Sequence, residues 1–205
     1  MGRVSDARER LMHAVSELIW TGSYGTTTID HICERAGVKK GSFYYFFKSK
    51  ADLAHASIEV EWAKRRAEMD TVFSATIPPL ERLEKFCEME YREQLELKKL
   101  HGYVLGCPLC TLGTEVSTRE QKLRKQIDGI MTQVRKYLET AIRDAQAEGS
   151  VRVQDVEAAT DVLYAYMEGI LTQARIQNNV QLFKGMARGV FMILGVRDEL
   201  HKAAA

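Results

Sequence analysis

Cys107-Pro-Leu-Cys110 is the segment whose residue types and spacing suggest covalent or coordination chemistry. Two thiols three residues apart can pair as a disulfide, bind a soft metal or act singly as nucleophiles. A redox motif of this form follows a strand in a thioredoxin-like unit, and no strand alternation precedes residue 107. A metal site needs further ligands; Cys87 and His101 are the candidates, but their spacing matches no zinc module. A thiol-based redox or metal-binding protein using Cys107 and Cys110 stays open as an alternative, as does a helical interaction protein without DNA binding; the more pointed reading is Cys107 acting singly. Near a helix N-terminus, backbone N–H groups favour the thiolate, which adds to a quinone, aldehyde or maleimide-like compound or is oxidised. The alternative is that Cys107 is a small hydrophobe lining a pocket, the usual role of an unbridged cysteine. Cys33, on an apolar helix face, and Cys87 read as structural.

Nothing else suggests catalysis. His13, His31, His55, His101 and His201 are scattered, no Ser, His and Asp are arranged as a triad, and no glycine loop could cradle a phosphate. No enzyme activity and no cofactor or resident metal are expected.

Residues 27–50 carry a different chemistry, that of binding. Thr27 reads as an N-cap with Asp30 as the acidic half of a capping box. Ile29, Ile32, Cys33 and Ala36 then fall at i, i+3, i+4 and i+7, one apolar face of a short helix. Gly37 follows where the chain must turn through a left-handed residue. A second short helix runs from Lys39 to about Phe46, with Phe43 and Phe47 as inward anchors. Lys39, Lys40, Ser42, Tyr44 and Tyr45 look outward, and Gly41 lets backbone approach a partner. Lysines neutralise phosphates, hydroxyls fix phosphate oxygens, and a Tyr ring can lie on a thymine methyl. Ser49 and Asp52 form a second capping box that opens a long helix. The competing reading is a core-facing aromatic cluster with solvated lysines. It holds for Phe43 and Phe47 but not for both tyrosines, since so short a helix cannot bury every side.

These residues resemble a known family. Tyr24-Gly25-Thr26-Thr27-Thr28-Ile29 with Ile32, followed by the run Ala36 to Leu53, is similar to the signature of the TetR family of bacterial transcriptional repressors. The likeness covers roughly the first quarter of the chain. It implies an all-α fold, with a three-helix helix-turn-helix head at 1–50 and a helical ligand-binding and dimerisation body at 51–205. It further implies that Thr27 and Thr28 contact phosphate, that Lys39 and Lys40 begin the recognition helix with Tyr44 and Tyr45 at its contact positions, and that Lys50 clamps the DNA backbone. Ser23 stands where a glycine is common, Phe46 where a tyrosine is common and Lys48 where a proline is common. A shorter likeness, Gly106-Cys107-Pro-Leu with Leu112 and Glu115, resembles a subgroup that includes sensors of electrophiles and small unsaturated acids. The partners implied are double-stranded operator DNA, a second copy of the chain, and a small apolar or electrophilic effector.

The rest of the chain must position these two constellations. Its 205 residues suffice for a small head and a larger body, and a 45% hydrophobic share supplies a core. Net charge is only +1, which excludes indiscriminate coating of DNA, yet residues 1–50 hold eight Lys or Arg against five acids, with Arg3, Arg8 and Arg10 at the start. No targeting segment is visible, and the longest apolar run, Val190 to Leu194, is far too short for a bilayer. A cytoplasmic protein with reduced cysteines and no membrane partner is expected. The tail Ala203-Ala204-Ala205 has no packing pattern and should fray.

Periodicity predicts helices throughout. One carries Leu11, Ala14, Val15, Leu18 and Ile19; others run from Ser49 to about Phe73, from Pro79 to about Leu100, and from Leu123 to about Gly149. Residues 101–118 read as a loop and a short helix. The last two helices, about Asp155–Asn178 and Val180–Leu194, are apolar around their girth. They are either central core or a pairing surface for a second copy over about 155–195, where Gly185 and Gly189 would allow close approach. A short recognition helix reads only a few base pairs, so two heads about 34 Å apart are needed. Trp62, Phe86, Met89, Tyr103, Cys107, Met131, Tyr164 and Met167 are the candidate lining of an effector pocket.

Overall fold

The structure is a computed structural model that describes residues 2–196, with the side chains of residues 2–5 left aside. The side chain of Arg3, His201 and the tail at 203–205 therefore lie outside the described residues. Within them the chain is all-α, without a strand. Helices α1 (Gly2–Thr21), α2 (Ile29–Ala36), α3 (Lys40–Phe46), α4 (Lys50–Val72), α5 (Pro79–His101), α6 (Pro108–Val116), α7 (Gln121–Ala147), α8 (Val156–Ile176) and α9 (Met186–Leu194) follow in order. No described helix is long and apolar enough to cross a membrane.

Two compact units form, and their boundary differs from the expected 1–50 and 51–205. One holds Met1–Arg66 with Pro108–Ile130; the other holds Ala67–Cys107 with Met131–Ala205. The reason is physical. Helix α4 starts at Lys50 and its early turns are tied to α1 through Ser57, and α6 also packs on α1, so both stay with the first unit past residue 50.

In the first unit, α1 lies against both α2 and α3. Leu11, Val15, Ile32, Phe43 and Leu53 are wholly buried there, each burial stabilising by about 1.5–3 kcal/mol over exposure. Phe43 and Phe47 face inward as expected, their ring centroids 6.1 Å apart. Ser57 on α4 donates to the Met12 carbonyl at 2.8 Å, which fixes α4 against α1. The start of α2 corrects the sequence reading by one residue. Thr28, extended at φ −99°, is the cap and its Oγ accepts the His31 N–H at 3.1 Å. Thr27 is buried, with its hydroxyl donating to the Ser23 carbonyl at 2.7 Å. Asp30 is not half of a capping box; it pairs with Lys40 instead. Thr28→Ala is expected to cost about 1 kcal/mol, read as a lower thermal midpoint, while Thr28→Asn retains stability.

Gly37 ends α2 in the left-handed region at φ +62°, its N–H on the Glu34 carbonyl and the Val38 N–H on Cys33. Such a turn reverses the chain within one residue and sets the α2–α3 angle. Ser49 caps α4 as expected: its Oγ accepts the Asp52 N–H, and the Asp52 carboxylate reaches back to the Lys48 N–H.

The second unit is built on α5, α8 and α9, with the later turns of α7 in the same core. Leu83, Leu138, Ile142, Leu163, Met186 and Leu194 are its centre. Pro79 occupies the first turn of α5, where a missing N–H costs nothing. Arg82 is buried but fully engaged, donating to the carbonyls of Ile77 and Ala75 and to the Asp144 carboxylate. The single helix expected over Val180–Leu194 is two elements, a 3-10 turn at Val180–Gly185 and then α9. Asn179 caps that turn through its side chain, so the chain starts tightly wound. Gly189 does permit a close approach, but the neighbour is Tyr166 of α8: a Cβ there would overlap its hydroxyl.

Candidate nucleic-acid interface

The α2–Gly37–α3 pair presents one coherent face. Phe43 is wholly buried, so the opposite side of α3 faces out, with Tyr44 55% and Tyr45 77% exposed. Edge-on ring contacts support both tyrosines, Tyr44 on Phe43 at 5.3 Å and Tyr45 on Phe46 at 4.9 Å between centroids. The two rings are thereby partly ordered before any partner arrives. Lys39 is the exposed residue capping α3 by its backbone, and Lys40 opens the helix in an exposed pair with Asp30. The hydrogen bond and charge of Asp30 push the Lys40 ammonium above its ordinary value, so it stays cationic at any pH where DNA is bound. Open space surrounds Gly41, and Ser42 is half-buried beside it. Thr28 is exposed at the α2 N-terminus, where N–H groups and the helix dipole favour an anion.

Two expected contacts are corrected. Thr27 turns its hydroxyl into the α1–α2 connection, as described above. Lys50 does not reach outward: its ammonium donates to the carbonyls of Tyr24 and Thr27 at 2.5 and 2.7 Å and lies 4.1 Å from the Tyr24 ring centroid. Burial pushes this ammonium below the usual lysine value, against the opposing pull of Glu120 and Glu115. The reason is local. The turn at 23–27 leaves two carbonyls without helical partners, and Lys50 is the cation placed to satisfy them.

Sequence reasoning missed the side chains that hold this turn from residues 108–130. Glu115 accepts from Ser23 and from the Gly25 N–H, and Glu120 accepts from the Tyr24 hydroxyl. Glu115 stands out in the sequence only as part of a motif; no local pattern pairs it with a turn ninety residues earlier.

The thiol segment belongs in part to the other unit. Residues 104–106 are held by side chains rather than by regular structure. Gln94, buried on α5, accepts the N–H groups of Leu105 and Gly106 at 3.1 and 2.8 Å and donates to the Gly106 carbonyl at 3.1 Å. Arg175 on α8 donates to the Leu105 carbonyl at 2.7 Å, and Asn178 accepts the Val104 N–H at 3.0 Å. Gly106 adopts φ +65°, and a Cβ there would come 3.0 Å from the Leu171 carbonyl oxygen. Cys107 is thus delivered at the end of a fixed backbone, its Sγ within 4.8 Å of a Glu168 carboxylate oxygen.

Of the expected pocket residues, Phe86, Met89, Cys107, Tyr164 and Met167 meet in one apolar cluster of the second unit. Tyr103 does not join them: it is 64% exposed, just after the left-handed Gly102 that ends α5. Trp62 belongs to the first unit and is half-buried, and Met131, also half-buried, lies at the start of the α7 stretch in the second. A shallow depression lined by Arg143, Gln146, Gln154, Asp155, Val156 and Glu157 includes none of the eight. Cys33 and Cys87 are buried as expected; burial pushes Cys87 up to about 12, and burial and Asp30 raise Cys33.

Residues 11–57 match the family model of bacterial regulatory proteins of the tetR family, and residues 79–190 match that of the tetracyclin repressor-like C-terminal domain. The transcriptional regulator AcuR of Cereibacter sphaeroides is 28% identical over 173 residues, 83% of this chain and 77% of the relative. The repressor NemR of Escherichia coli is 24% identical, over 86% of this chain and 87% of its own length. Among solved structures, a regulatory protein TetR from Rhodobacter sphaeroides superposes with a TM-score of 0.79 at 27% identity, covering 90% of this chain and 96% of that one. The reduced form of Escherichia coli NemR gives 0.79 at 24% identity, covering 94% and 98%, a likeness of fold.

Proposed function

The chain belongs to the TetR family of bacterial regulatory proteins, DNA-binding regulators of transcription, and from that membership we propose a homodimeric repressor released from its operator by a small apolar or electrophilic effector. The observation that carries the DNA part is α3, which buries Phe43 while leaving Tyr44 and Tyr45 exposed beside Lys39 and Lys40. Lys39, Lys40 and Thr28 bind phosphates, Tyr44 and Tyr45 meet base edges, and Gly41 and Ser42 allow close backbone approach. Residues 1–50 supply the reading head, braced by residues 108–130 of the same unit, and the remainder of 51–205 supplies effector binding and dimerisation.

A stripe on α8 supports the dimer. Val162, Ala165, Gly169, Thr172 and Ile176 recur at alternating steps of three and four, the spacing of a helix-pairing seam. Val162 is 57% and Ile176 78% exposed in the single chain, and Met192 of α9 is 73% exposed. Small residues flanked by large apolar ones suit close packing against a second α8. The effector part is supported by the fixed backbone that presents Cys107 beside Phe86, Met89, Tyr164 and Met167. An effector that prefers one conformation lowers operator affinity by its own differential binding energy, no more.

Sedimentation velocity tests the assembly. A dimer is expected for the protein alone, and two chains per duplex on operator DNA. A monomer at micromolar concentration, or one chain per duplex, would end the dimer reading.

A further inference from the structure

The bonds between residues 108–130 and the helix-turn-helix pair, all inside the first unit, converge on one turn. Through a single oxygen, Glu115 of α6 accepts the Ser23 hydroxyl and the Gly25 N–H, each at 3.0 Å. Glu120, just before α7, accepts the Tyr24 hydroxyl at 3.2 Å. Lys50 closes the knot on the carbonyls of Tyr24 and Thr27. The turn ends at Thr28, the cap of α2, so its shape decides where α2 begins. Contact between α2 and α3 passes that placement to the tyrosines.

We propose that Glu115 is a positioning residue for operator recognition, locking the Ser23–Gly25 turn so that α2 and α3 hold their DNA-reading pose. It acts through the turn and not on DNA. The inference rests on the DNA-reading function above. Electrostatics and positioning make opposite predictions here. An acid in the DNA-binding unit repels phosphate, so by charge alone its loss strengthens binding to every duplex. Loss of a positioning acid weakens binding to the chosen sequence.

The test begins with operator DNA selected from a random duplex pool by the wild-type protein. Failure to enrich any sequence overturns the DNA reading and this proposal with it. With operator in hand, Glu115→Ala is expected to lose about tenfold in operator affinity, while affinity for random duplex stays level or rises. Glu115→Gln, which keeps an acceptor oxygen, retains operator affinity within about threefold. Ser23→Ala loses about threefold, and the Ser23→Ala, Glu115→Ala double variant loses about as much as Glu115→Ala, because Glu115→Ala has already removed the Ser23–Glu115 bond along with that to the Gly25 N–H. Operator binding by Glu115→Ala as tight as wild type overturns the proposal, as does equal loss on operator and random DNA. Should Glu115→Ala not fold, Ser23→Ala decides: unchanged operator affinity overturns the role.

Discussion

Tyr44→Ala combined with Tyr45→Ala is expected to lower operator affinity by at least about 100-fold. Each base contact discriminates by roughly 1–3 kcal/mol, and a dimer makes every contact twice. Four contacts at the low end amount to about 4 kcal/mol, roughly 1,000-fold, before non-additivity reduces it. The fold should survive, because both side chains are exposed. What stability is lost comes from the edge-on contacts with Phe43 and Phe46, about 0.5–1.5 kcal/mol for each pair. A Tyr44→Phe, Tyr45→Phe variant separates the two effects. It keeps the ring contacts and removes only the hydroxyls, so its melting should match wild type while operator affinity falls part of the way. Equal operator affinity for the double alanine variant would remove α3 from the interface.

Cys107→Ser is expected to abolish operator release by a thiol-reactive probe such as N-ethylmaleimide. In the wild type the thiolate sulfur adds to the alkene carbon, the adjacent carbon takes a proton, and nothing leaves. The adduct lies at the end of a backbone that Gln94, Arg175 and Asn178 hold firmly, so its volume must be accommodated by side chains and helices around it. Operator affinity of the modified wild type should fall at least tenfold, while Cys107→Ser stays at its starting value. The other thiols compete poorly. Cys87 is buried with its thiol pushed up to about 12, and Cys33 is buried and raised. Cys110 is half-buried and needs its own Cys110→Ser control. Release that persists when Cys107→Ser and Cys110→Ser are combined assigns the response to noncovalent occupancy.

How far the sequence could be read depended on whether the signal was local. Gly37, the Ser49 cap, Pro79 and the inward Phe43 and Phe47 are set by neighbours within one helical turn, and all stand where periodicity and capping rules put them. Thr27 and Thr28 are adjacent residues of one type, so capping preference alone could not choose between them; the Ser23 carbonyl did. Lys50 is the clearest miss. The family resemblance implies a DNA-backbone contact, but a four-carbon chain turns toward whichever acceptors are unsatisfied, and those belong to a turn more than twenty residues earlier. Tyr103 was judged by type, while the left-handed Gly102 decided its direction. Gly189 was read as room for a second copy, yet Tyr166 of the same chain occupies that room. Glu115 and Gln94 act across the fold, and only three-dimensional proximity reveals them.

A salt-titrated mobility shift on the DNA upstream of the protein's own gene tests the central claim most directly. The account predicts a discrete, sequence-specific complex at low salt. Its log affinity should fall linearly with log salt, with a slope of about −3.6 or steeper from Lys39 and Lys40 in two heads. No discrete complex at low salt, or one of equal affinity on unrelated duplex, would contradict it.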